Sequence, residues 1–158
     1  MAETWQTVET LGKVGLFQGF ERAELEHLVG RGHAIEFPQG TTLFREGELG
    51  GGFYVVLSGA VRITKAVPGG GEEAVALTEP GDFFGEMALI DDMPRSATAV
   101  AVADCRVFML KRPDFLDLTY TDPALGCKVL WALCRTFSRR LRETTTNMVT
   151  LFKVCRTV

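Results

Sequence analysis

Apolar and polar positions along this chain follow three different rhythms. Residues 7–31, TVETLGKVGLFQGFERAELEHLVGR, place Leu25, Leu28 and Val29 after Phe20 at helical spacing, and glycines at 12, 15 and 19 cut the segment into short pieces. Residues 33–111 change period. Short β-type runs (AIEF, TTLF, FYVVLSGAVRITKAV, EEAVALT, SATAVAVA and CRVFML) alternate with glycines at 40, 47, 50–52, 59, 69–71, 81 and 85. Within them Val61-Arg62-Ile63-Thr64-Lys65 reads as in–out alternation, and the glycine triplet 69–71 after Pro68 reads as a mobile hairpin tip. Short strands at regular spacing with turn signals between them predict an antiparallel barrel or jelly roll.

From residue 113 the helical rhythm returns. Pro113-Asp114 starts a short helix through Tyr120, and Asp122-Pro123 supplies an N-cap followed by proline at the first helical position. The run from there to about Cys155 is broken only by Gly126 and predicts one helix roughly 50 Å long at 1.5 Å per residue. Along it Leu130, Cys134, Phe137, Leu141, Thr144, Met148, Leu151 and Cys155 alternate spacings of four and three. That stripe is narrower than a helix needs to cover its own roll, so it predicts a helix–helix seam and a homodimer. The expected fold is α+β, mainly β: an antiparallel β-roll (jelly-roll barrel) with short N-terminal helices and a long C-terminal helix. The expected boundaries within one 1–158 domain are helices over 1–32, the roll over 33–112 and helices over 113–158, the long one at about 123–155.

Composition removes several alternatives. A net charge of −3 and a pI of 5.4 argue against a chain devoted to holding nucleic acid. No apolar run of membrane-spanning length occurs, and the N-terminus lacks the pattern of a signal peptide, so the expected location is the cytoplasm, with no membrane partner. Cysteines at 105, 127, 134 and 155 form no C-x-x-C pair, and His27 and His33 have no ligand cluster, so no metal is expected. A metal-dependent β-barrel enzyme would need two or three histidines with a carboxylate in the barrel, and a cysteine-cluster sensor would need cysteines before residue 105. Neither pattern is present.

The stretch 84–101, FGEMALIDDMPRSATAVA, carries the candidate chemistry. Gly85 can take a positive φ and lets a ligand approach the backbone. Glu86-Met87-Ala88-Leu89-Ile90 can form a helical turn whose N–H groups favour an anion. Arg95 adds a permanent charge and a fork of donors suited to phosphate, and Ser96 adds a hydroxyl. Glu86 only accepts hydrogen bonds, so it needs a donor, and a sugar hydroxyl is a natural one. Together these residues read as a pocket for a sugar phosphate with one free hydroxyl.

This stretch resembles the phosphate-binding cassette of the cyclic nucleotide-binding domain family, whose members include the sensor domain of the catabolite activator protein and the regulatory subunits of protein kinase A. The resemblance extends over LFQGFERAELEHLV, FPQGTTLFREGELGGGFYVVLSGAVRI, PGDFFGE and CRVFMLKRPDFLDL into the last helix. It implies a cassette at 84–98 in which Gly85 and Glu86 meet the ribose, Glu86 accepting from the 2′-OH. Arg95 would neutralise the cyclic phosphate, and the N–H groups of Ala88 and Ser96 with the Ser96 hydroxyl would add donors. Met87 and Ala97 belong to the same cassette, and Val61 and Val75 align with positions that touch the base. In SRRLRETTTNMV the pair Thr144-Thr145 stands where the family carries an adenine-contacting pair.

The expected function is that of a regulatory, non-enzymatic module. It would sense a 3′,5′-cyclic nucleotide, cyclic AMP with cyclic GMP as the alternative, and report through its C-terminal helix. No cofactor beyond that ligand is expected. The second reading is the sensor fragment of a CRP-like transcription factor whose helix-turn-helix domain is absent here, the chain stopping at Val158. On either reading this segment itself is expected to make no nucleic-acid contact.

Overall fold

The protein was analysed as a computed structural model that describes residues 2–156. Helix α1 (Ala2–Lys13) leads through a 3-10 turn (Gly15–Phe17) to α2 (Arg22–Arg31). Eight strands follow: β1 (His33–Phe37), β2 (Thr42–Phe44), β3 (Gly52–Ser58), β4 (Val61–Ala66), β5 (Glu72–Thr78), β6 (Phe83–Phe84), β7 (Thr98–Ala101) and β8 (Cys105–Lys111). The short helix α3 (Met87–Ile90) lies between β6 and β7, and α4 (Arg112–Thr121) and α5 (Pro123–Arg156) close the chain. The strands pair antiparallel in two four-stranded sheets, ordered β1-β8-β3-β6 and β2-β7-β4-β5. This is the expected β-roll. Strand β6 is not predicted by the pattern, because two phenylalanines are too short a run to show a period.

Two apolar clusters explain the unbroken hydrophobicity of β3. Phe53 and Val55 face the helices, where they join Leu11, Phe17, Leu28, Phe115, Leu118 and Leu133. Tyr54 and Val56, on the opposite face, line the inside of the roll with Val61, Phe84, Ala99 and Val107. A strand covered on both faces has no polar side to alternate with. Strand β4 departs from the predicted alternation at Thr64. Thr64 is buried and its hydroxyl donates to Glu72 at 2.7 Å, while Lys65 stays exposed; opposite them β5 carries the bulge, with Val75 as the extra residue between Ala74 and Ala76. The triplet Gly69-Gly70-Gly71 is the β4–β5 hairpin tip, all three residues at positive φ.

Asp122 caps α5 as predicted, its Oδ1 accepting from the Leu125 N–H at 3.1 Å. The helix has 34 residues, but its two halves differ. Leu125, Val129, Ala132, Leu133 and Thr136 are buried against the body, and Phe137 packs on the same cluster. From Ser138 onward every described side chain is exposed. Phe137 therefore leaves the predicted seam, because the body reaches as far as its turn of the helix and takes the ring into the core. No helix among the described residues is long and apolar enough to cross a membrane.

Candidate functional site

The cassette sits between two sheets and the long helix. Gly85 ends β6 with φ at 73°, a conformation that glycine adopts without penalty. A Cβ there would meet the Arg95 guanidinium at 2.7 Å, so the bare backbone leaves room for that side chain. The turn continues into α3, where Ala88 N–H donates to Gly85 O at 3.3 Å and Leu89 N–H to Glu86 O at 3.1 Å.

Arg95 is 7% exposed. Its Nη1 donates to Gly85 O at 3.1 Å and its Nη2 to Gly52 O at 2.8 Å, while its buried Nε has no hydrogen-bond partner. The guanidinium lies 4.0 Å from the centre of the Phe44 ring and 5.6 Å from that of Tyr54. No carboxylate lies within ion-pair distance of it among the described residues. Burial pulls its pKa below the ordinary arginine value, with Tyr54, Glu48 and Glu86 opposing the shift. Burial likewise pushes the Tyr54 phenol up. A buried cation seated on aromatic faces, with an unpaired donor, is in electrostatic need of an anion.

The loop GELGGG (47–52) holds the arginine from behind. Gly47 N–H donates to Arg95 O at 2.9 Å, and Arg95 N–H donates to Glu48 O at 2.7 Å. A Cβ on Gly50 would come within 2.6 Å of the Ala88 Cβ, so this glycine permits the loop to close against α3. On the far side of the cassette, Lys65 Nζ donates to Ser96 O at 2.6 Å and to Glu46 Oε1 at 3.2 Å.

Glu86 is 4% exposed, and its carboxylate is paired with Arg140, which reaches down from α5. The Arg140 guanidinium also lies 5.0 Å from the Phe83 ring centre. The long helix is thus tied directly to the cassette carboxylate.

These elements enclose a cavity of about 500 Å³. Gly85, Glu86, Met87, Ala88, Arg95, Ser96, Ala97 and Val75 all line it, together with Phe44, Ile63, Phe83, Arg140 and Glu143. Three sequence candidates lie elsewhere. Val61 is fully buried in the cluster that holds Phe84 and Ala99, while Ile63, two residues on along the same face of β4, reaches the cavity. Thr144 and Thr145 are exposed on α5, their hydroxyls donating to Arg140 O and Leu141 O at 2.9 Å each. Phe44, Tyr54 and Arg140 were not singled out in the sequence. They come from distant segments and carry no local motif. The glycine run 50–52 was the one visible signal of close packing. Among the described residues, no group of three or more His, Cys, Asp or Glu could hold a metal ion.

The family model for the cyclic nucleotide-binding domain matches residues 34–122. A CRP-like cAMP-activated global transcriptional regulator of Mycobacterium tuberculosis is 32% identical over 143 residues, covering 90% of this chain and 62% of the relative. The Cyclic AMP receptor protein of Thermus thermophilus is 40% identical over 128 residues, covering 81% of this chain and 57% of the relative. In three dimensions the Catabolite Activator Protein of Thermus thermophilus superposes with a TM-score of 0.79 at 38% identity, covering 87% of this chain and 62% of that one. The chain spans about three fifths of the length of these relatives.

Proposed function

Since the chain belongs to the cyclic nucleotide-binding domain family, we propose that its cavity receives a 3′,5′-cyclic nucleotide and that α5 carries the response. The observation that carries this reading is Arg95: a buried guanidinium lining the cavity, with an orphaned Nε and no carboxylate partner. A cyclic phosphate diester bears one negative charge, and a single arginine matches it. Binding would convert an unsatisfied buried donor into a charge-assisted hydrogen bond.

Glu86 supports the sugar assignment. Its carboxylate has acceptor sites beyond the one that Arg140 uses, so a ribose 2′-OH can donate to it without displacing the arginine. The same pair supports signalling through α5. A ligand held by Glu86 interacts differently with helix positions that keep the Arg140 contact and those that break it. Such differential binding shifts the helix population.

We assign cyclic AMP as the preferred ligand, following the relatives, whose names specify that nucleotide. Thr144-Thr145 stand on the part of α5 that clears the body, so in a dimer paired along this helix they are free to meet a base in the partner's cavity. The module's role is regulatory and calls for no catalytic residue. Calorimetric titration with cyclic AMP and cyclic GMP tests the reading. Expected is a preference for cyclic AMP of about tenfold, or about 1.4 kcal/mol. Binding of neither nucleotide would overturn the assignment.

A further inference from the structure

Four cysteines occur in the chain, and the structure separates them into two kinds. Cys105 is buried in the roll, where desolvation pushes its thiol pKa up. Cys127, Cys134 and Cys155 are all exposed, and all three are on α5. Their spacings are 134 − 127 = 7 and 155 − 134 = 21, both multiples of a heptad. Leu141 and Met148 occupy the two positions between Cys134 and Cys155, 69% and 48% exposed. One line along the helix therefore reads Cys127, Cys134, Leu141, Met148, Cys155.

That line faces away from the body. The body-facing residues of the first half of α5 are Leu125, Val129, Ala132, Leu133 and Thr136, all buried. At 3.6 residues per turn, Cys134 lies on the opposite side of the helix from them. Phe137 is taken up by the core, so the seam is drawn along the Cys134 line rather than through Phe137. Its flanking positions, offset by four and three residues, are then Trp131, Ser138, Thr145 and Phe152, all exposed, with Trp131 at 65% and Phe152 at 64%.

We infer that α5 pairs in parallel with a second copy along this line and that Cys134 and Cys155 each form a disulfide with their own counterpart, locking the dimer under oxidising conditions. The inference rests on the dimeric reading of the long helix and adds a thiol-controlled clamp to it. In a parallel pair with a twofold axis between the helices, every seam residue faces its own copy. Helix axes 8–10 Å apart with Cα atoms 2.3 Å off each axis bring facing Cα atoms to roughly 3.5–5.5 Å at closest approach. That overlaps the window of about 4.4–6.8 Å that a disulfide requires.

The oxidant we assign is a small-molecule disulfide such as oxidised glutathione. The Cys134 thiolate of one protomer attacks a sulfur of that disulfide, forming a mixed disulfide and releasing one glutathione thiolate. The partner's Cys134 thiolate then attacks the mixed disulfide, forming the bond between protomers and releasing the second glutathione thiolate. Two protein thiols are oxidised to one disulfide, one glutathione disulfide is reduced to two thiols, and the two protons lost by the cysteines end on glutathione. Bonds at both 134 and 155 span most of the exposed stretch of α5, so the helices can no longer part or slide.

The test treats the chain with oxidised glutathione and follows it by non-reducing electrophoresis, peptide mapping and light scattering. Before oxidation, scattering in excess reductant should report a dimer. After oxidation, a dimer-sized band should appear and revert with dithiothreitol. Its cross-linked peptides should join Cys134 to Cys134 and Cys155 to Cys155. Replacing Cys127, Cys134 and Cys155 together by Ser should abolish the band, and Cys127→Ser alone should leave it. A reduced dimer that forms no cross-link, or that joins cysteines at random, overturns the clamp and leaves the dimer standing. A reduced monomer with no cross-link overturns both.

Discussion

The cassette and the outer half of α5 are opposites. Around Arg95 nearly every group is fixed from several directions: two backbone carbonyls hold the guanidinium, two aromatic rings flank it, and the loop 47–52 is hydrogen-bonded behind it. Beyond Phe137 the helix touches the body through Arg140, and its apolar side chains Leu141, Met148, Leu151 and Phe152 stand in solvent. On the proposed reading the first region recognises a ligand and the second is completed by a partner helix. A binding site must be preorganised before its ligand arrives, because ordering it afterwards reduces affinity. A response element must have more than one arrangement of similar energy, which an unpacked helix supplies.

Removing Arg95 should break that contrast at its strong end. Arg95→Ala should weaken cyclic nucleotide binding by about 2–5 kcal/mol, the range for truncating one side of a buried charge pair, as read by calorimetry. The roll should stay folded by circular dichroism, since neither apolar cluster of the core includes the arginine. Gly85→Ala asks whether the preorganisation depends on bare backbone. With φ at 73° and a Cβ pressed on the Arg95 guanidinium, it should weaken binding by about 1–3 kcal/mol without touching the ligand itself. An alanine variant binding as tightly as the parent would mean that the arginine has room to spare.

Glu86→Gln sharpens the sugar assignment. The parent should prefer the ribo over the 2′-deoxy cyclic nucleotide by about 1.5–3 kcal/mol, and the glutamine variant should lose most of that margin in competition titrations. At the flexible end, Arg140→Ala should leave phosphate-driven binding in place. It should erase the ligand-dependent change in amide hydrogen exchange along residues 137–155. A helix that exchanges identically with and without ligand in the parent would remove α5 from the response.

The smallest effect concerns the packed half of α5, where Lys128 Nζ holds Glu24 Oε2 at 2.6 Å. That hydrogen bond, with one from the Glu21 backbone, lowers the Glu24 pKa from its ordinary 4.5. The unfolded chain therefore binds the proton more readily, so the pair's contribution is present above about pH 4.5 and is lost as pH falls below it. Both side chains are part-exposed, so the loss should be under about 1 kcal/mol. Thermal unfolding of Lys128→Met beside the parent from pH 6 to pH 3 should show the two converging.

Much of this is legible in the sequence. The strand runs, the Asp122 cap and the cassette at 84–98 are contiguous, and each rests on chemistry within a few residues: a glycine that needs φ > 0, a carboxylate that needs a donor, an arginine that suits phosphate. What was missed is non-local. Phe44 and Tyr54 lie about fifty and forty positions before Arg95, and nothing in their own segments marks them as its seat. The resemblance puts Val61 at the base; the structure buries it, and Ile63 on the same strand face is the residue that lines the cavity. Strand β6 exists because β3 offers it a partner, not because two phenylalanines have strand character of their own.

The long helix divides the two kinds of information most clearly. Its length, its cap and its apolar repeat are properties of residues three and four apart, and hydrophobic spacing alone determines them. Which part of the repeat is spent on the chain's own core cannot be read from spacing, because Phe137 and Leu141 are equally apolar and differ by one turn. Only the packed structure decides it. The body ends level with Phe137, so that ring finds the core while Leu141 and the positions after it do not. The ion pair of Arg140 with Glu86 has the same origin: the two lie fifty-four positions apart with no local pattern to link them, and the pair exists because the roll places the mouth of the cavity beneath that turn of the helix.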